Sequence, residues 1–398
     1  ALHIKERLNV PTIIGGCHVT ALPERTLTEF PVFDYGIYGE GEMTILELLE
    51  HLFSKNSLSD LKSIKGLAYR DKDVIFVNEP RTSLTSKQLD DLPFPAFHHY
   101  YDSNKKALTE KHSEYILMSG RGCPYNCAFC MQVLGRNIRR RSTENIYKEI
   151  EYAVSHYGAH TINFVDEIFL MNDKRTKEIL QLLIESGLSK RIRWSAPTRA
   201  NLISPELIEL AKQAGCYTLS MGIESGDDET LKTIGKGITV AQVKKATKII
   251  KDAKISLEAY FIFGHPNETK EKARKTVNLA SELNPDIIAV GLMVPYPGTT
   301  IYKMAKNDEG GYRLLSEDWS EYDKYGSNCL ELKDFPHKTM VKYQVLTYVN
   351  LYLKNFRLID LFNFFWIRKG AFYYLLKKNF YKVFSKQKLK DITYYSCS

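Results

Sequence analysis

The 398-residue sequence contains no uninterrupted apolar run of the roughly 18 residues that a membrane-spanning helix requires, so no bilayer span is expected. It opens without the pattern of a secretory signal and holds only seven cysteines, which argues against a disulfide framework and for a reducing cytoplasm. No Cys/His pair matches the single close cysteine group, so the two-pair arrangement of a structural zinc site is missing as well. An evenly spread excess of positive charge is also lacking. The segment from Lys338 to Lys390 holds twelve Lys and Arg against one acid, Asp360, and the whole chain carries only +8, which leaves about −3 for the remainder. The basic character belongs to the C-terminal tail, and a nucleic-acid partner is not expected. What is present, 44% hydrophobic and 26% charged residues, is ordinary for a globular chain of two or three domains.

The most informative stretch is Ser119-Gly-Arg-Gly-Cys-Pro-Tyr-Asn-Cys-Ala-Phe-Cys130. Residues 115–119 read as a buried strand, after which Gly120, Gly122 and Pro124 force an irregular loop. Cys123, Cys127 and Cys130 lie on that loop in a C-x3-C-x2-C spacing. Three thiolates hold three irons of a 4Fe–4S cluster, and no fourth cysteine lies nearby to take the last one. Cys17, Cys216, Cys329 and Cys397 are scattered and read as packing or surface residues.

This stretch resembles the cysteine motif of the radical S-adenosylmethionine (SAM) enzymes. The resemblance implies that Cys123, Cys127 and Cys130 ligate the cluster. It implies that the open iron chelates SAM and that Phe129 stands beside its adenine. In that family the reduced cluster cleaves SAM to a 5′-deoxyadenosyl radical, which takes hydrogen from an unactivated C–H bond. A flavodoxin- or ferredoxin-type electron donor is then expected as a partner.

From Tyr115 onward, apolar strand segments alternate with helical ones. Strands are predicted at 115–119, 161–165, 192–196, 217–223, 256–263 and 286–293. Helices are predicted at 143–157, 173–186, 205–214, 239–252 and 269–283, with a short one from Thr299. Ser204 and Pro205 supply an N-cap and a first helical residue. Six such units imply parallel strands with right-handed crossovers, too few to close an eight-stranded barrel. The expected fold is therefore α/β, an open (β/α)6 partial barrel, which is also the fold the resemblance implies.

Chemistry in such barrels lies at the C-terminal strand ends. After the second strand come Asp166 and Glu167, where the family usually has Gly-Gly-Glu; either carboxylate can accept from SAM's ammonium or cap the next helix. After the third comes Arg199, which pairs either with SAM's carboxylate or with Glu224. The fourth ends Gly222-Ile-Glu224-Ser225-Gly226, similar to a Gly-Ile-Glu-Ser-Gly motif whose Glu and Ser neighbour SAM's ribose and methionine. The fifth runs into Gly264-His-Pro266-Asn-Glu268-Thr269, similar to a Gly-x-Pro-x-Glu-Thr bulge at the adenine edge; Glu268 reads alternatively as a helix-start residue. The sixth ends in Val294-Pro-Tyr-Pro-Gly-Thr299, a further match. Arg136, Arg139, Arg140 and Arg141 read either as a solvated basic turn or as a capture site for an anionic substrate or acidic electron donor.

Upstream, Val10–Ile14 runs into Gly15-Gly16-Cys17-His18, and Tyr35–Tyr38 into Gly39-Glu-Gly-Glu42, with an amphipathic helix over 44–53. This resembles the second half of the cobalamin-binding domain that precedes many radical SAM domains. The resemblance implies that Gly15 and Gly16 house the cobalamin nucleotide tail. His18 reads either as a hydrogen-bonded turn residue or as a cobalt or nucleotide contact. The first half of that domain, with its Asp-x-His-x-x-Gly cobalt-ligand motif, does not appear in the sequence. The expected organisation is a truncated cobalamin-binding-like domain over 1–59, a hairpin and proline-stiffened linker over 60–110, the barrel over 111–310, and a mainly helical region over 311–398. Aromatics interleaved with Lys and Arg from Tyr343 to Phe384 suit either a helical cap on the barrel or peripheral contact with an anionic inner membrane face.

The expected activity is radical SAM chemistry with cobalamin-dependent methyl transfer to a small molecule, lipid-like or porphyrin-like. An oxidative cyclase of the magnesium-protoporphyrin monomethyl ester type is the alternative. A methylthiotransferase is disfavoured because only Cys17 lies upstream of the triplet. A non-enzymatic iron–sulfur protein is disfavoured because a simple electron carrier gains little from a missing fourth thiolate.

Overall fold

Strand–helix alternation builds the larger of two sheets. The computed structural model describes residues 1–53, 60–97 and 114–367. Numbered in chain order, the strands are β1 Ile13–Ile14, β2 Tyr35–Ile37, β3 Leu67–Asp71, β4 Val74–Val77, β5 Tyr115–Leu117, β6 Gly120–Arg121, β7 Arg139–Arg140, β8 Thr161–Phe164, β9 Arg193–Thr198, β10 Cys216–Glu224, β11 Ser256–Phe263, β12 Ile287–Leu292, β13 Tyr312–Leu314 and β14 Leu330–Leu332. Six of them, in the order β12-β11-β10-β9-β8-β5, pair in parallel as an open barrel, as the sequence predicts. The connecting helices begin where the sequence places their caps. Ser142, Asp173, Ser204, Thr239 and Thr269 each accept a hydrogen bond from a first-turn backbone N–H. Trp194, fully buried, packs edge-on against Phe164 and Phe169 and donates from Nε1 to the Ala214 carbonyl at 2.9 Å.

The smaller sheet has the order β1-β2-β3-β4. The first two strands are parallel, and the β3–β4 hairpin extends the same sheet antiparallel to β2, so the hairpin is a structural part of it rather than a free connector. Helix Glu42–Phe53 covers one face with Leu48 fully buried, while Leu49 stays outside. His18 falls within a helix, Cys17–Ala21, rather than in a turn.

After β12 the chain returns along the barrel's open edge. Leu292 N donates to the Lys324 carbonyl at 2.6 Å. Helix His337–Lys354 then places Gln344 Nε2 2.8 Å from the Val290 carbonyl and the Tyr348 hydroxyl 3.0 Å from Val290 N, satisfying the edge strand's backbone from side chains. This part of the tail is a helical cap on the barrel. Helix Leu358–Ile367 packs on that cap through Phe364 against Tyr348 and leaves Leu358, Ile359, Phe362 and Trp366 exposed. Gly370 and Phe372–Tyr374 of the aromatic tail lie outside the described residues.

Candidate active site

The cysteine loop leaves β5 at the C-terminal end of the barrel and is pinned mainly through its backbone. Cys123 N donates to the Gly135 carbonyl (3.1 Å), Ala128 N to the Ile234 carbonyl (2.9 Å), and Ile301 N to the Ala128 carbonyl (3.1 Å). Gly122, at φ 94°, cannot carry a Cβ without striking the Asn137 carbonyl. Cys127 is buried, and Cys123 and Cys130 flank it. Burial pushes the Cys123 and Cys130 thiols up; nearby thiol charge adds to this, and Arg199 and Lys236 oppose it. Thiolates there need a compensating positive partner. Three convergent thiols on one loop, faced by two cations, are a donor set that fits an iron–sulfur cluster.

Several residues read from the sequence gather around this loop. Arg199 is 5% exposed. It lies 3.5 Å over the Tyr125 ring, reaches Cys127 Sγ at 3.9 Å and donates to the Lys236 carbonyl. It does not pair with Glu224. That partner is Lys236, whose Nζ lies 2.7 Å from Glu224 Oε1 with both side chains buried, and 5.8 Å from the Phe129 ring centre. Glu224 sits at φ 70°, a strained position for a non-glycine residue, and its carbonyl is 3.3 Å from His265 Nε2. A Cβ at Gly222 would collide with both members of the Glu224–Lys236 pair. Glu167 lies close enough to Cys130 to raise its thiol pKa. A cavity of about 180 Å³ opens beside Phe129 and Glu224, walled by Met293, Val294 and Tyr296.

Other predicted contacts are spent on the scaffold. Asp166 accepts from Ser119 N (3.0 Å) and Ser119 Oγ (2.8 Å), holding the start of the cysteine loop; burial raises its pKa to about 6. Ser225 is fully buried, 3.3 Å from Thr276 Oγ1. Glu268 accepts from Gly264 N (2.6 Å) and His265 N (3.1 Å), and burial raises its pKa to about 8. It shapes the bulge rather than starting the helix, whose cap is Thr269. Gly264, at φ 98°, accepts from the Tyr312 hydroxyl, and Pro266 packs at Gly310. The four arginines after the loop are all engaged. Arg136 bonds Gln132 and Asn126, Arg139 pairs with Glu40, Arg140 with Asp173, and Arg141 with Glu149. None is left as a bare anion trap.

Lys236 and Tyr125 were missed by sequence reasoning. Lys236 lies in a Gly235-Lys-Gly237 turn after a short helix, away from any strand end; two glycines flanking one lysine, both at positive φ, are the signal that marks it.

In the smaller sheet, Gly16 (φ 103°) and Gly39 (φ 75°) follow the parallel strands β1 and β2, and no atom lies within 4 Å of the Cβ position of either. Gly15 is next to them, with the Ile37 carbonyl 3.8 Å from its Cβ position. His18 packs edge-on against Trp319 at 4.7 Å; its Nε2 is buried without a partner, and burial lowers its pKa. Glu40 and Glu42 tie this turn to the cysteine loop. Glu40 contacts Arg139 (2.6 Å) and Arg121 (3.5 Å), and Glu42 contacts Arg121 (2.5 Å), two residues before Cys123.

Comparison with known proteins agrees with this arrangement. The profile of the radical SAM superfamily matches residues 117–280. A methyltransferase of Pyrococcus horikoshii, named as uncharacterized, is 33% identical over 348 residues, covering 87% of this chain and 73% of the relative. The anaerobic magnesium-protoporphyrin IX monomethyl ester cyclase of Cereibacter sphaeroides is 28% identical, covering 79% of this chain but only 51% of the cyclase, so the chain spans about half that relative's length. The solved structure of a radical SAM methyltransferase from Kitasatospora setae, with cobalamin and a 4Fe–4S cluster bound, superposes with a TM-score of 0.66 at 17% identity, over 89% of this chain and 73% of that one. The partial barrel, the cysteine loop above it and a relative sharing a third of its residues all lead to one placement: this chain belongs to the radical SAM superfamily, enzymes that work with SAM and a 4Fe–4S cluster.

Proposed function

We propose that the protein is a cobalamin-dependent radical SAM methyltransferase acting on a small molecule. When bound, the cluster and SAM supply reductive C–S cleavage and hydrogen abstraction, and cobalamin supplies the methyl group. The chain's own residues position and shield. Cys123, Cys127 and Cys130 would hold the cluster, with Arg199 and Lys236 offsetting the charge of the thiolates. Glu167 would accept from SAM's ammonium, and Glu224, paired with Lys236, from ribose hydroxyls. Phe129 and Met293 supply apolar wall to the cavity beside Glu224. Asp166, Ser225 and Glu268 act on the loops rather than on the cofactor.

The observation that carries methyl transfer is the pair of open glycine turns, Gly16 and Gly39, at adjacent ends of parallel strands. That crevice is where doubly wound sheets hold nucleotide-like ligands. Its salt-bridged connection to Arg121 keeps it next to the cysteine loop. The test is anaerobic reconstitution with iron, sulfide and cobalamin, followed by mass spectrometry. Methyl transfer yields both S-adenosylhomocysteine and 5′-deoxyadenosine, and Cys127→Ala yields neither. A second reading, oxidative cyclisation, draws on the cyclase relative and gives 5′-deoxyadenosine alone. A flavodoxin or ferredoxin is the proposed electron donor. Peripheral membrane contact through the exposed Leu358, Ile359 and Phe362 is proposed alongside it; among the described residues no helix is long and apolar enough to cross a bilayer.

A further inference from the structure

The inner wall of the barrel is not packed shut. A cavity of about 360 Å³ opens onto inward-facing residues of β8 through β12, including Asn163, Ser195, Ser220, Glu258 and Tyr260. Its wall is two-sided. Tyr260 and Ile287 expose 37% and 48% of their surface there. The polar side has two carboxylates: Glu258 accepts from Ser220 Oγ at 2.7 Å, and Glu114 accepts from the Tyr217 hydroxyl at 2.7 Å.

These two carboxylates differ from four of the buried acids elsewhere in the chain. Glu40, Glu149, Glu224 and Asp227 each have a lysine or arginine within 3 Å. Among the described residues neither Glu114 nor Glu258 has a Lys or Arg within ion-pair distance. Arg193, near Glu114, is turned over the Tyr217 ring at 4.8 Å and donates to Thr161 Oγ1. Among the described residues the partners of both carboxylates are neutral hydroxyls: Tyr217 for Glu114, and Ser220 and Tyr260 for Glu258. A carboxylate facing a cavity offers a charge-assisted hydrogen bond to a cation on a ligand.

The cavity also adjoins the site. Tyr260 lines both this cavity and the one beside Phe129 and Glu224. Glu224 is in register with Phe261, three residues beyond Glu258, so the two glutamates stand about 10 Å apart along the strands. We propose that Glu258, seconded by Glu114, selects a substrate in the barrel lumen that bears a protonated amine at one end of an apolar body about 10 Å long. This rests on the radical SAM reading for the identity of the far end. It runs against a porphyrin, whose carboxylates would face Glu258.

The test is kept separate from SAM cleavage. The full chain, reconstituted with its cluster and loaded with SAM but given no reductant, is titrated with n-octylammonium, n-octanol and octanoate, and binding is read by saturation-transfer NMR and calorimetry. Octylammonium is expected to bind at least tenfold tighter than octanol, and octanoate weakest. Glu258→Gln should remove most of that preference, Glu114→Gln part of it, and Glu258→Lys should reverse it toward octanoate. Equal binding of the three probes by the wild-type chain, or a preference unchanged in both Gln variants, overturns the inference. Wild-type protein that fails to cleave SAM on reduction with dithionite overturns the proposed function instead, while the probe preference remains measurable.

Discussion

The two sheets hold together by different means. The six-stranded barrel has a continuous core running from Tyr115 to Leu351, and each strand is bracketed by neighbours and a capped helix. The four-stranded sheet rests on a smaller core, Ile37, Leu48, Ile64, Leu67 and Tyr69 in one cluster and Val19, Leu27 and Ala68 packed about Gly36, and its first strand is two residues long. So little apolar surface is marginal for an independent unit. Further support comes from outside it: Glu40 and Glu42 pair with Arg121 and Arg139, and Trp319 packs on His18 and donates to Glu29 at 2.6 Å. One region is self-sufficient, and the other borrows stability from the cysteine loop on which it sits.

The largest effect should come from the barrel. Trp194→Ala is expected to cost about 3–5 kcal/mol in a denaturant titration; a loss under about 1 kcal/mol would mean the core is looser than its burial indicates. Next, Leu48→Ala should cost about 2–4 kcal/mol locally. Hydrogen exchange should show protection falling in β1–β4 while β9–β11 stay protected, and a matching loss in β9–β11 would make the two sheets one cooperative unit. Glu40→Gln, which leaves Arg139 without its charged partner, should cost about 1–3 kcal/mol. If the smaller sheet does not depend on that contact, exchange in β1 and β2 will be unchanged.

The last effect is a slope, small over any one pH unit. Glu268 ionises near its ordinary 4.5 when unfolded and at about 8 when folded. The folded state therefore holds a proton that the unfolded state has lost. The contribution is fully present below pH 4.5 and drains away as pH rises toward 8, at no more than about 1.4 kcal/mol per pH unit. Glu268→Gln should flatten that part of a melting-temperature profile, and an unaltered slope would show that the carboxyl is not the titrating group.

The barrel was readable because its signals are local and repeated: apolar strands, Ser, Thr or Asp caps, and a cysteine spacing with few alternative meanings. Individual roles stayed open in the sequence where two like residues compete for one task. Asp166 and Glu167 are adjacent and chemically alike, and only the fold shows that Asp166 is used up by Ser119. Arg199 and Lys236 are both cations near Glu224. The nearer strand end favoured Arg199, yet the turn Gly235–Gly237 delivers Lys236. Glu258 and Glu114 were passed over because an acid inside a strand carries no local signal of what it faces. Sequence spacing reports which element a residue rides on; pairing across elements needs the tertiary arrangement.

The side-chain seal on β12 has a practical consequence. Gln344 and the Tyr348 hydroxyl occupy the Val290 carbonyl and N–H that a further strand would otherwise claim. A chain cut back before His337 would bare that edge and invite copies of the protein to pair strand to strand and precipitate. The helical cap thus works as a guard against self-association.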